Sequence, residues 1–461
     1  MANRTIIKNA AHILTMDPRL GEIRNGDLLI EDKRIADVGV NLGQVDARVI
    51  DAGNMIVIPG FIDTHRHTWQ ALVRNIASDW TLAQYFAGIR VVLSPHYTPE
   101  DMYLGNLIGA LEALDAGITT LLDWSHNNNS PDHADAAIRG LRDAGLRAIF
   151  GYGNSAEEWF PVSDLPTNFD DVRRVQSRYF SSDDQLVTLA FAARGEFATM
   201  RQTIRDFQEA RKLGLRITVH AGSGLWGMNG TLIQLAEQGL LKNDTTYVHC
   251  NTLRDEEFKL IGDTGGTASI APEVELQMGH GFLATLKLLG AGVKPSVSID
   301  VTTSIGGDMF GAMRALLMGT RAVVNAKALE ERKLVDPLPL MCTYVLRFAT
   351  IEGARACGLD HKVGSITKGK EADLVLINTD AFNLFPLHNA TNAVVEACHV
   401  GNVDTVFVAG KIVKEHGRLL GFELRDLRRR TEAAIDGLYS RAGVPKKANW
   451  LPEPYRESAE K

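Results

Sequence analysis

The sequence predicts an α/β protein, a (β/α)8 TIM-like barrel with a small β-sandwich domain formed by both chain ends. Three observations carry this prediction. Eight short apolar runs in the middle of the chain alternate with stretches able to form helices, both ends consist of β-type runs separated by turn residues, and no Gly-rich dinucleotide motif follows the first middle run. Eight strand-helix repeats favour a closed barrel over an open doubly wound sheet.

The start of the chain, residues 1–58, has a sequence pattern typical of β-strands, with the runs TIIKNAAHILTM, GDLLIEDKRIADVGV and ARVIDAGNMIVIPG. Beyond residue 361 the same β-strand pattern recurs in VGSITKGKEADLVLINTD and VDTVFVAGKIVKEHGRLL. A charged helix from about Glu423 to Arg441 follows. We therefore predict that 1–58 and 362–461 form the small β domain with a closing helix, and that 59–361 forms the barrel.

The barrel strands are expected at runs of apolar and β-branched residues, each followed by a segment that can form a helix. In chain order these runs are GFIDTH, ITTLLDW, LRAIFGYG, LVTLAFAA, RITVHAG, TTYVHCN, TASIAP and KPSVSID. In a barrel of this kind the active site lies at the C-terminal ends of the strands, so residues that end these runs are candidates for chemistry.

Composition and charge restrict the partners. The 461-residue chain is 45% hydrophobic and 23% charged, with a formal net charge of −7, which argues against nucleic acid or an anionic membrane and favours a small-molecule substrate. The start, MANRTIIKNAAHILTMDP, lacks the pattern of a secretory signal, and no apolar run is long enough to cross a bilayer, so we expect a cytoplasmic protein. The four cysteines form no CxxC pair and are expected to be reduced thiols.

Two histidines end the first barrel run, GFIDTHRHT. His65 and His67 are two residues apart, so on a strand both imidazoles face the same side, which at the end of a barrel strand is the interior mouth. Two neutral imidazoles placed in this way can share a metal ion. The alternative is one surface histidine and one core histidine, since an HxH pair also occurs by chance.

Three further ionisable residues end other strands. His220 ends RITVHAG, His249 ends TTYVHCN, and Asp300 ends KPSVSID. A carboxylate buried at a barrel mouth without a cation would be costly, so Asp300 also indicates a positive charge nearby. Four histidines and an aspartate at the ends of four strands predict a metal-dependent active site.

The ordered motifs of the chain resemble the amidohydrolase superfamily over nearly the full length. The matching segments, in chain order, are VIPGFIDTHRH, AGITTLLD, HAG, HCN, ID followed by GDMFGAMRALL, ATIEGARACGL, GSITKGKEADLVL and VFVAGKIVKEHG. The resemblance is to the branch with atrazine chlorohydrolase, guanine deaminase-like enzymes and S-adenosylhomocysteine deaminase. It implies metal-dependent cleavage of a carbon-nitrogen bond, by deamination or amide hydrolysis, in a small heterocyclic molecule. It also implies a homo-oligomer.

The resemblance further implies that His65, His67, His220 and Asp300 bind one divalent ion. Zinc is the first expectation, with iron, cobalt or manganese as alternatives. His249 would lie beside the ion and polarise the substrate, and Asp300 would act as the base that takes a proton from the attacking water. Relatives with two ions need a bridging lysine or acidic residue at strand four, and LVTLAFAARGEF has no lysine, although Glu196 lies close to its end.

One departure from the family pattern concerns proton transfer. Relatives usually carry a glutamate three residues after the strand-five histidine, and this chain has Ser223 there. Two candidate substrate contacts lie after strand seven. Glu275 stands where relatives have asparagine, and His280 lies between two glycines. The alternatives are a solvated loop charge for Glu275 and a surface turn residue for His280.

Other candidate substrate contacts follow the first two strands. His126 lies on the loop after strand two, while Trp69 and Gln70 follow the histidine pair, where the family places substrate contacts. Trp69 is equally consistent with packing. Arg194 and Glu196 either bind substrate or pair with each other.

Two other functions compete with carbon-nitrogen cleavage in a heterocycle. Hydrolysis of a carbamate, thiocarbamate or urea is favoured slightly by Ser223, because its leaving group departs without a dedicated glutamate. A metal-free scaffolding protein of the same superfamily is less favoured, since such proteins typically lose the histidines that are present here.

Overall fold

The computed structural model describes residues 4–156 and 163–445. The described part begins with five strands that belong to the small β domain. They are β1 (Arg4–Leu14), β2 (Glu22–Glu31), β3 (Arg34–Gly39), β4 (Arg48–Asp51) and β5 (Met55–Pro59).

Eight parallel strands then form the predicted barrel, and each overlaps one of the runs expected from the sequence. They are β6 (Phe61–Arg66), β7 (Ile118–Ser125), β8 (Arg147–Tyr152), β9 (Val187–Ala193), β10 (Ile217–Ala221), β11 (Thr245–His249), β12 (Thr267–Ile270) and β13 (Ser296–Val297). Neighbours in the chain are neighbours in the sheet from β6 to β13.

The barrel closes at its mouth through residues of the candidate site. The backbone N–H of Asp300, just beyond β13, donates to His65 O at 2.8 Å, and the N–H of His67 donates to Asp300 O at 2.8 Å. These bonds join the last strand to the first where the chemistry is predicted. The expected (β/α)8 architecture is therefore confirmed.

Helices connect the strands and cover the outside of the barrel. The second of them begins at a capping box in which Thr98 and Asp101 bond each other's backbone, with Pro99 at the first position. The helices are α1 (Leu82–Tyr85), α2 (Pro99–Asp115), α3 (Pro131–Ala144), α4 (Phe169–Tyr179), α5 (Met200–Lys212), α6 (Thr231–Glu237), α7 (Asp255–Asp263), α8 (Pro272–Met278), α9 (Thr285–Gly290), α10 (Met309–Glu330), α11 (Cys342–Phe348), α12 (Ile351–Ala356), α13 (Ala390–Asn392) and α14 (Leu424–Ala442).

The two chain ends share one mixed sheet of nine strands. The C-terminal strands are β14 (Leu374–Asn378), β15 (Val403–Val408), β16 (Lys411–Glu415) and β17 (Arg418–Leu419). The sheet has the order β17-β16-β15-β14-β5-β1-β2-β3, with β4 beside β1, and β14 pairs antiparallel with β5 to join the two ends. It has an apolar core of its own that includes Ile7, Leu28, Leu374 and Phe407. The predicted small β domain from both ends is confirmed.

Gly60 and a buried ion cluster are two of the contacts that join the small β domain to the barrel. Gly60 alone separates β5 from β6, and a Cβ there would lie 2.1 Å from Oγ1 of Thr119, so the close approach requires glycine. At the opposite end of the barrel from the candidate site, Arg147 donates to both carboxylate oxygens of Asp373 at 2.9 and 3.0 Å and to Glu371 at 2.6 Å. These bonds tie β8 to the segment before β14.

All four cysteines are unpaired, as expected from their spacing. Among the described residues, none of the helices combines the length and the apolar character needed to cross a lipid bilayer.

Candidate active site

The five predicted metal-site and catalytic residues converge at the C-terminal mouth of the barrel. His65 lies in β6, His67 follows it by two residues, His220 and His249 lie at the ends of β10 and β11, and Asp300 lies beyond β13. All five are buried. The strand-end rule that selected them from the sequence therefore places them together.

The residues between these histidines hold the strands in position. Asp63 is buried, and its Oδ1 accepts N–H groups of His65 at 3.3 Å and of Ile299 at 3.1 Å. Its Oδ2 accepts from Nε of Arg66 at 2.7 Å, and Arg66 donates in turn to Gly307 O at 2.8 Å. This buried pair fixes the end of β6 against the end of β13.

One carboxylate oxygen lies between two imidazoles. Oδ1 of Asp300 is 3.2 Å from Nε2 of His65 and 3.3 Å from Nε2 of His67, and its Oδ2 is 4.0 Å from Nε2 of His249. Two overlapping groups of ligand atoms, each within 4.8 Å of one another, share His65. They are His65, His67 and Asp300, and His65, His220 and His249.

The donor set fits a divalent cation. Among the described residues, neither ring nitrogen of His65 has a hydrogen-bond partner of acceptable geometry, although the ring is fully buried. An unsatisfied buried ring nitrogen costs free energy, so it indicates a missing partner. Imidazole nitrogens with one carboxylate oxygen form a ligand set that is typical of zinc and other divalent transition metals.

The protonation of these groups suits cation binding. Burial lowers the pKa of the imidazoles of His65, His67 and His220, which keeps them neutral and able to donate a lone pair. Burial acts to raise the pKa of Asp300, but the nearby imidazoles of His65, His249 and His67 outweigh it and lower the pKa. The site therefore presents a carboxylate and neutral imidazoles.

His249 has a buried carboxylate behind it. Its Nδ1 donates to Oε1 of Glu275 at 3.1 Å, so its Nε2 faces Asp300. Burial acts to lower the pKa of His249, but the hydrogen bond to Glu275 and the charges of Asp300, Glu275 and Glu196 outweigh it and raise the pKa. The alternative reading of Glu275 as a solvated loop charge is wrong, because its side chain is fully buried.

Glu275 lies in α8 and connects two loops at the mouth. Its Oε1 also accepts the N–H of Ala271 at 2.7 Å, and its Oε2 accepts from Nδ2 of Asn251 at 3.0 Å. Asn251 donates as well to Phe282 O at 3.0 Å. One carboxylate therefore fixes His249 and the segment that carries His280.

His280 and Ser223 place neutral polar atoms in the site. Both ring nitrogens of His280 and Oγ of Ser223 are buried and have no hydrogen-bond partner among the described residues. The ring of His280 packs edge-on against His249 at 4.6 Å, and burial lowers its pKa to about 3, so the ring is neutral. The alternative of a surface turn residue at 280 is wrong, because its side chain is 2% exposed.

His126 reaches the site directly, whereas Trp69 and Gln70 stand behind it. The ring of His126 stacks on His67 at 4.0 Å, and its Nδ1 accepts from Nε1 of Trp69 at 3.1 Å. Gln70 donates to the hydroxyl of Tyr85 at 2.6 Å. Trp69 and Gln70 are buried and do not line the cavity. They lie behind residues that do line it.

Arg194 and Glu196, at the end of β9, do not pair with each other. Arg194 donates to Leu165 O at 2.8 Å and lies 3.5 Å from Asp206. Glu196 accepts the N–H groups of Gly222 at 2.8 Å and Ser223 at 3.0 Å. Glu196 therefore shapes the turn after β10 rather than facing the cavity.

A cavity lies over these groups. Half of its wall is apolar or aromatic, and these wall residues were not found from the sequence. Phe197 directly follows Glu196 at a strand end, a position that could have marked it, whereas no pattern in the sequence marks the others. The missed residues are Leu82, Tyr85, Phe86, Phe197, Val274, Met278 and Val301.

The sequence is similar to one protein family and to individual proteins over most of its length. The Amidohydrolase family matches residues 56–413. A 5'-deoxyadenosine deaminase of Methanothermobacter thermautotrophicus is 29% identical over 453 residues, which cover 94% of this chain and 99% of that protein. A 5-methylthioadenosine/S-adenosylhomocysteine deaminase of Pyrococcus furiosus is 27% identical over 414 residues, which cover 86% and 93%.

Solved structures share the fold. An adenosine deaminase from Xanthomonas campestris with bound zinc matches with a TM-score of 0.81 at 23% identity, over 95% of this chain and 98% of that one. Atrazine chlorohydrolase from Arthrobacter aurescens in complex with zinc matches with a TM-score of 0.82 at 21% identity, over 94% and 100%. At these identities the likeness establishes the architecture.

The family match covers most of the chain, and the named relatives are deaminases that align over nearly their full length. Together with the histidine and aspartate cluster, they confirm the prediction of a metal-dependent hydrolase that acts on non-peptide carbon-nitrogen bonds of a small molecule. The resemblance found in the sequence motifs is confirmed with it: this chain belongs to the amidohydrolase family.

Proposed function

We propose that His65, His67, His220 and Asp300 hold one divalent ion, and that the chain uses it to hydrolyse a carbon-nitrogen bond, by deamination or amide cleavage, in a small heterocyclic molecule. The observation that carries the proposal is the position of Asp300 Oδ1, 3.2 and 3.3 Å from Nε2 of His65 and His67 at the barrel mouth. The unsatisfied nitrogens of His65 support the same assignment.

A divalent ion bound by this donor set supplies a nucleophile from water near neutral pH. Asp300 is the base in this proposal. Its carboxylate would accept a proton from the attacking water and return it to the departing group. His249, held by Glu275 with Nε2 toward Asp300, stabilises the charge that develops on the electrophile.

The substrate side of the proposal uses neutral groups. His126, His280 and Ser223 line the cavity and are assigned to substrate contacts. Trp69, Gln70 and Glu275 are assigned to supporting roles, since each reaches the cavity only through another side chain: Trp69 through His126, Gln70 through Tyr85 and Glu275 through His249.

A carbamate, thiocarbamate or urea is the second candidate substrate class. Ser223 favours it, because its buried hydroxyl occupies the position where relatives carry a proton-donating glutamate. Carbamates and thiocarbamates that lose an alkoxide or a thiolate have leaving groups that need less protonation than an amine.

We propose zinc as the ion, with iron, cobalt or manganese as alternatives. The three imidazoles and one carboxylate favour zinc on ligand chemistry, and the structurally similar adenosine deaminase contains it. Metal analysis of the purified protein, followed by reconstitution of the apoprotein with each ion, distinguishes these alternatives.

We propose further that the protein works in the cytoplasm as a homo-oligomer, with no nucleic acid or membrane partner. Four unpaired cysteines support a reducing compartment, and the net charge of −7 argues against polyanionic partners. The exposed rings of Phe382 and Phe385, with centroids 5.6 Å apart, support contact between subunits. We also retain the domain division at 58/59 and 361/362, which the change of sheet at Gly60 supports.

The experiment that tests the proposed function is a hydrolysis panel with the metal-loaded enzyme. Ammonia or amine release is measured on aminopurines, aminopyrimidines, triazines, carbamates and ureas. Turnover of any member that is lost in Asp300→Asn supports the proposal. Full metal occupancy without turnover of any compound would contradict it.

A further inference from the structure

Part of the wall of the active-site cavity is apolar. Phe86 and Phe197 lie with their ring centroids 5.4 Å apart and their planes at 69°, which makes an aromatic corner. Leu82, Val274 and Met278 extend this surface. Flat apolar rings pack well against aromatic side chains in such a corner.

Ionised side chains are scarce in the wall. Within residues 4–156 and 163–445, the lining contains no lysine or arginine, and its one carboxylate is Asp300. The two other acidic groups nearby are already engaged. Glu196 accepts two backbone N–H groups, and Glu275 accepts from His249, Asn251 and Ala271. A charged substituent, or the several hydroxyls of a sugar, would lose water here without gaining equivalent partners.

Two neutral residues in the wall have buried polar atoms without a hydrogen-bond partner among the described residues. Oγ of Ser223 and both ring nitrogens of His280 are buried without a partner in the described part of the chain, and both residues are 2% exposed. A hydroxyl and a neutral imidazole each donate and accept hydrogen bonds, so they suit an uncharged polar group such as an amide, a ring nitrogen or a urea.

We propose that the substrate is a small, uncharged molecule with a flat apolar body and one polar end that carries the scissile bond. The polar end meets Ser223 and His280 beside the histidine cluster, and the apolar body lies against Phe86 and Phe197. This inference rests on the proposed function, because it assigns the cavity to the substrate of that reaction. It sets this chain apart from relatives whose names specify nucleosides as substrates.

The test compares ligands that share a reacting group and differ in the rest. One pair is 9-ethyladenine against 5'-deoxyadenosine, which differ by an ethyl group in place of the sugar. A second pair is N,N-dimethyl-N'-phenylurea against its 4-carboxyphenyl counterpart. Values of kcat/KM are measured with the zinc-loaded enzyme, and Kd values are measured with zinc-loaded Asp300→Asn, so that binding is reported even where a compound does not react.

We expect the apolar member of at least one pair to be preferred by about tenfold or more in kcat/KM or Kd, which corresponds to about 1.4 kcal/mol. Equal or better binding of the nucleoside and of the carboxylate would overturn the proposal, and so would failure of all four compounds to bind. Binding with this preference but without hydrolysis would count against the proposed function and leave the inference on the cavity standing.

A variant pair links the preference to the aromatic corner. Phe197→Leu keeps an apolar side chain but removes the ring, and should reduce the preference for the apolar ligands severalfold. Phe282→Ala is the matched control, since this phenylalanine is 71% exposed and does not line the cavity. If Phe197→Leu were folded, as judged by its Tm, and kept the full preference, the contact assigned to Phe197 would be wrong.

Discussion

His249 and Glu275 form a buried pair in which Nδ1 of the imidazole donates to Oε1 of the carboxylate at 3.1 Å. They are 26 residues apart in the sequence and come from β11 and from α8 after the next strand. The second oxygen of Glu275 holds Asn251, which in turn holds the backbone of Phe282. Glu275 is therefore a positioning residue for both His249 and the segment with His280.

Replacement of Glu275 by Gln should lower kcat about ten- to hundredfold with little change in KM, the range seen when partners behind site histidines are removed. An amide cannot stabilise a charged imidazole as a carboxylate does, although it can still accept one hydrogen bond. Steady-state kinetics and the pH dependence of kcat measure the effect.

Glu273→Gln is the matched control for this change, because Glu273 lies two residues earlier in α8 and does not line the cavity. Its kcat should equal that of the unmodified enzyme. An equal loss of kcat in both variants would point to a general disturbance of α8 and would contradict the specific role of Glu275. Partial recovery in Glu275→Asp would support that role.

The metal site makes a prediction about composition. His65→Ala or His67→Ala should reduce bound metal from about one ion per chain to a small fraction, because each change removes one of four ligands. The Tm should fall with the metal, since an ion that binds only the folded state stabilises it. Metal analysis and thermal unfolding check this, with His416→Ala as a control on an exposed histidine. Full occupancy after either change would remove that residue from the ligand set.

Asp300→Asn tests the role of base, because an amide oxygen can still contact an ion but cannot take a proton, and metal analysis of the variant reports whether the ion stays bound. Loss of proton transfer should lower kcat by about a hundred- to ten-thousandfold, and the protein should remain folded. Activity close to that of the unmodified enzyme would show that another group takes the proton. The same protein provides the binding measurements proposed for the cavity.

The predicted part of the site depends on local regularities. Alternation along a strand put His65 and His67 on one face, and the rule that barrel sites lie at strand ends brought His220, His249 and Asp300 to the same mouth. Neither inference required knowledge of tertiary packing. The helix expected from Glu423 to Arg441 is observed at Leu424–Ala442. It could be predicted because a helix depends on residues that are close together in the sequence.

The unpredicted part depends on contacts between distant segments. From the sequence Glu275 is either a substrate contact or a loop charge, because nothing in the sequence shows that its carboxylate turns toward His249. The aromatic corner joins Phe86, from the segment after α1, to Phe197, from the turn after β9, and no periodicity links them. Backbone conformation gives a further signal that only the structure contains: His249 and Asp300 have φ values of 79° and 67°, a strained region for residues other than glycine that is common at active sites.

Ser223→Ala should change substrate binding more than turnover. The hydroxyl is buried and faces the cavity, so loss of one neutral hydrogen bond should raise KM about three- to tenfold, for a contribution near 1 kcal/mol. kcat should change less than twofold. A fall in kcat of a hundredfold or more would instead place the hydroxyl in the path of the proton to the leaving group.

Trp69→Phe tests the arrangement behind His126. Because Nε1 of Trp69 donates to Nδ1 of His126, the neutral imidazole must carry its proton on Nε2. Phenylalanine keeps the ring and removes the donor, so the two tautomers of His126 should become mixed and KM should rise severalfold. The 15N chemical shifts of His126 report the tautomer directly. A single unchanged tautomer in the variant would show that Trp69 does not determine it.

Glu273 also predicts how stability depends on pH. Burial and then the charge of Asp308 raise its pKa from 4.5 to about 7. The folded protein therefore binds more protons than the unfolded chain between these values, and the contribution of this group to stability is present below pH 4.5 and is lost as the pH rises toward 7. Glutamine carries no charge at any pH in this range. Glu273→Gln should accordingly raise the Tm at pH 8 by about 1–2 °C and leave it nearly unchanged at pH 4.5. Thermal unfolding at the two pH values measures this difference, and a lower Tm at pH 8 would mean that the carboxylate of Glu273 stabilises the fold.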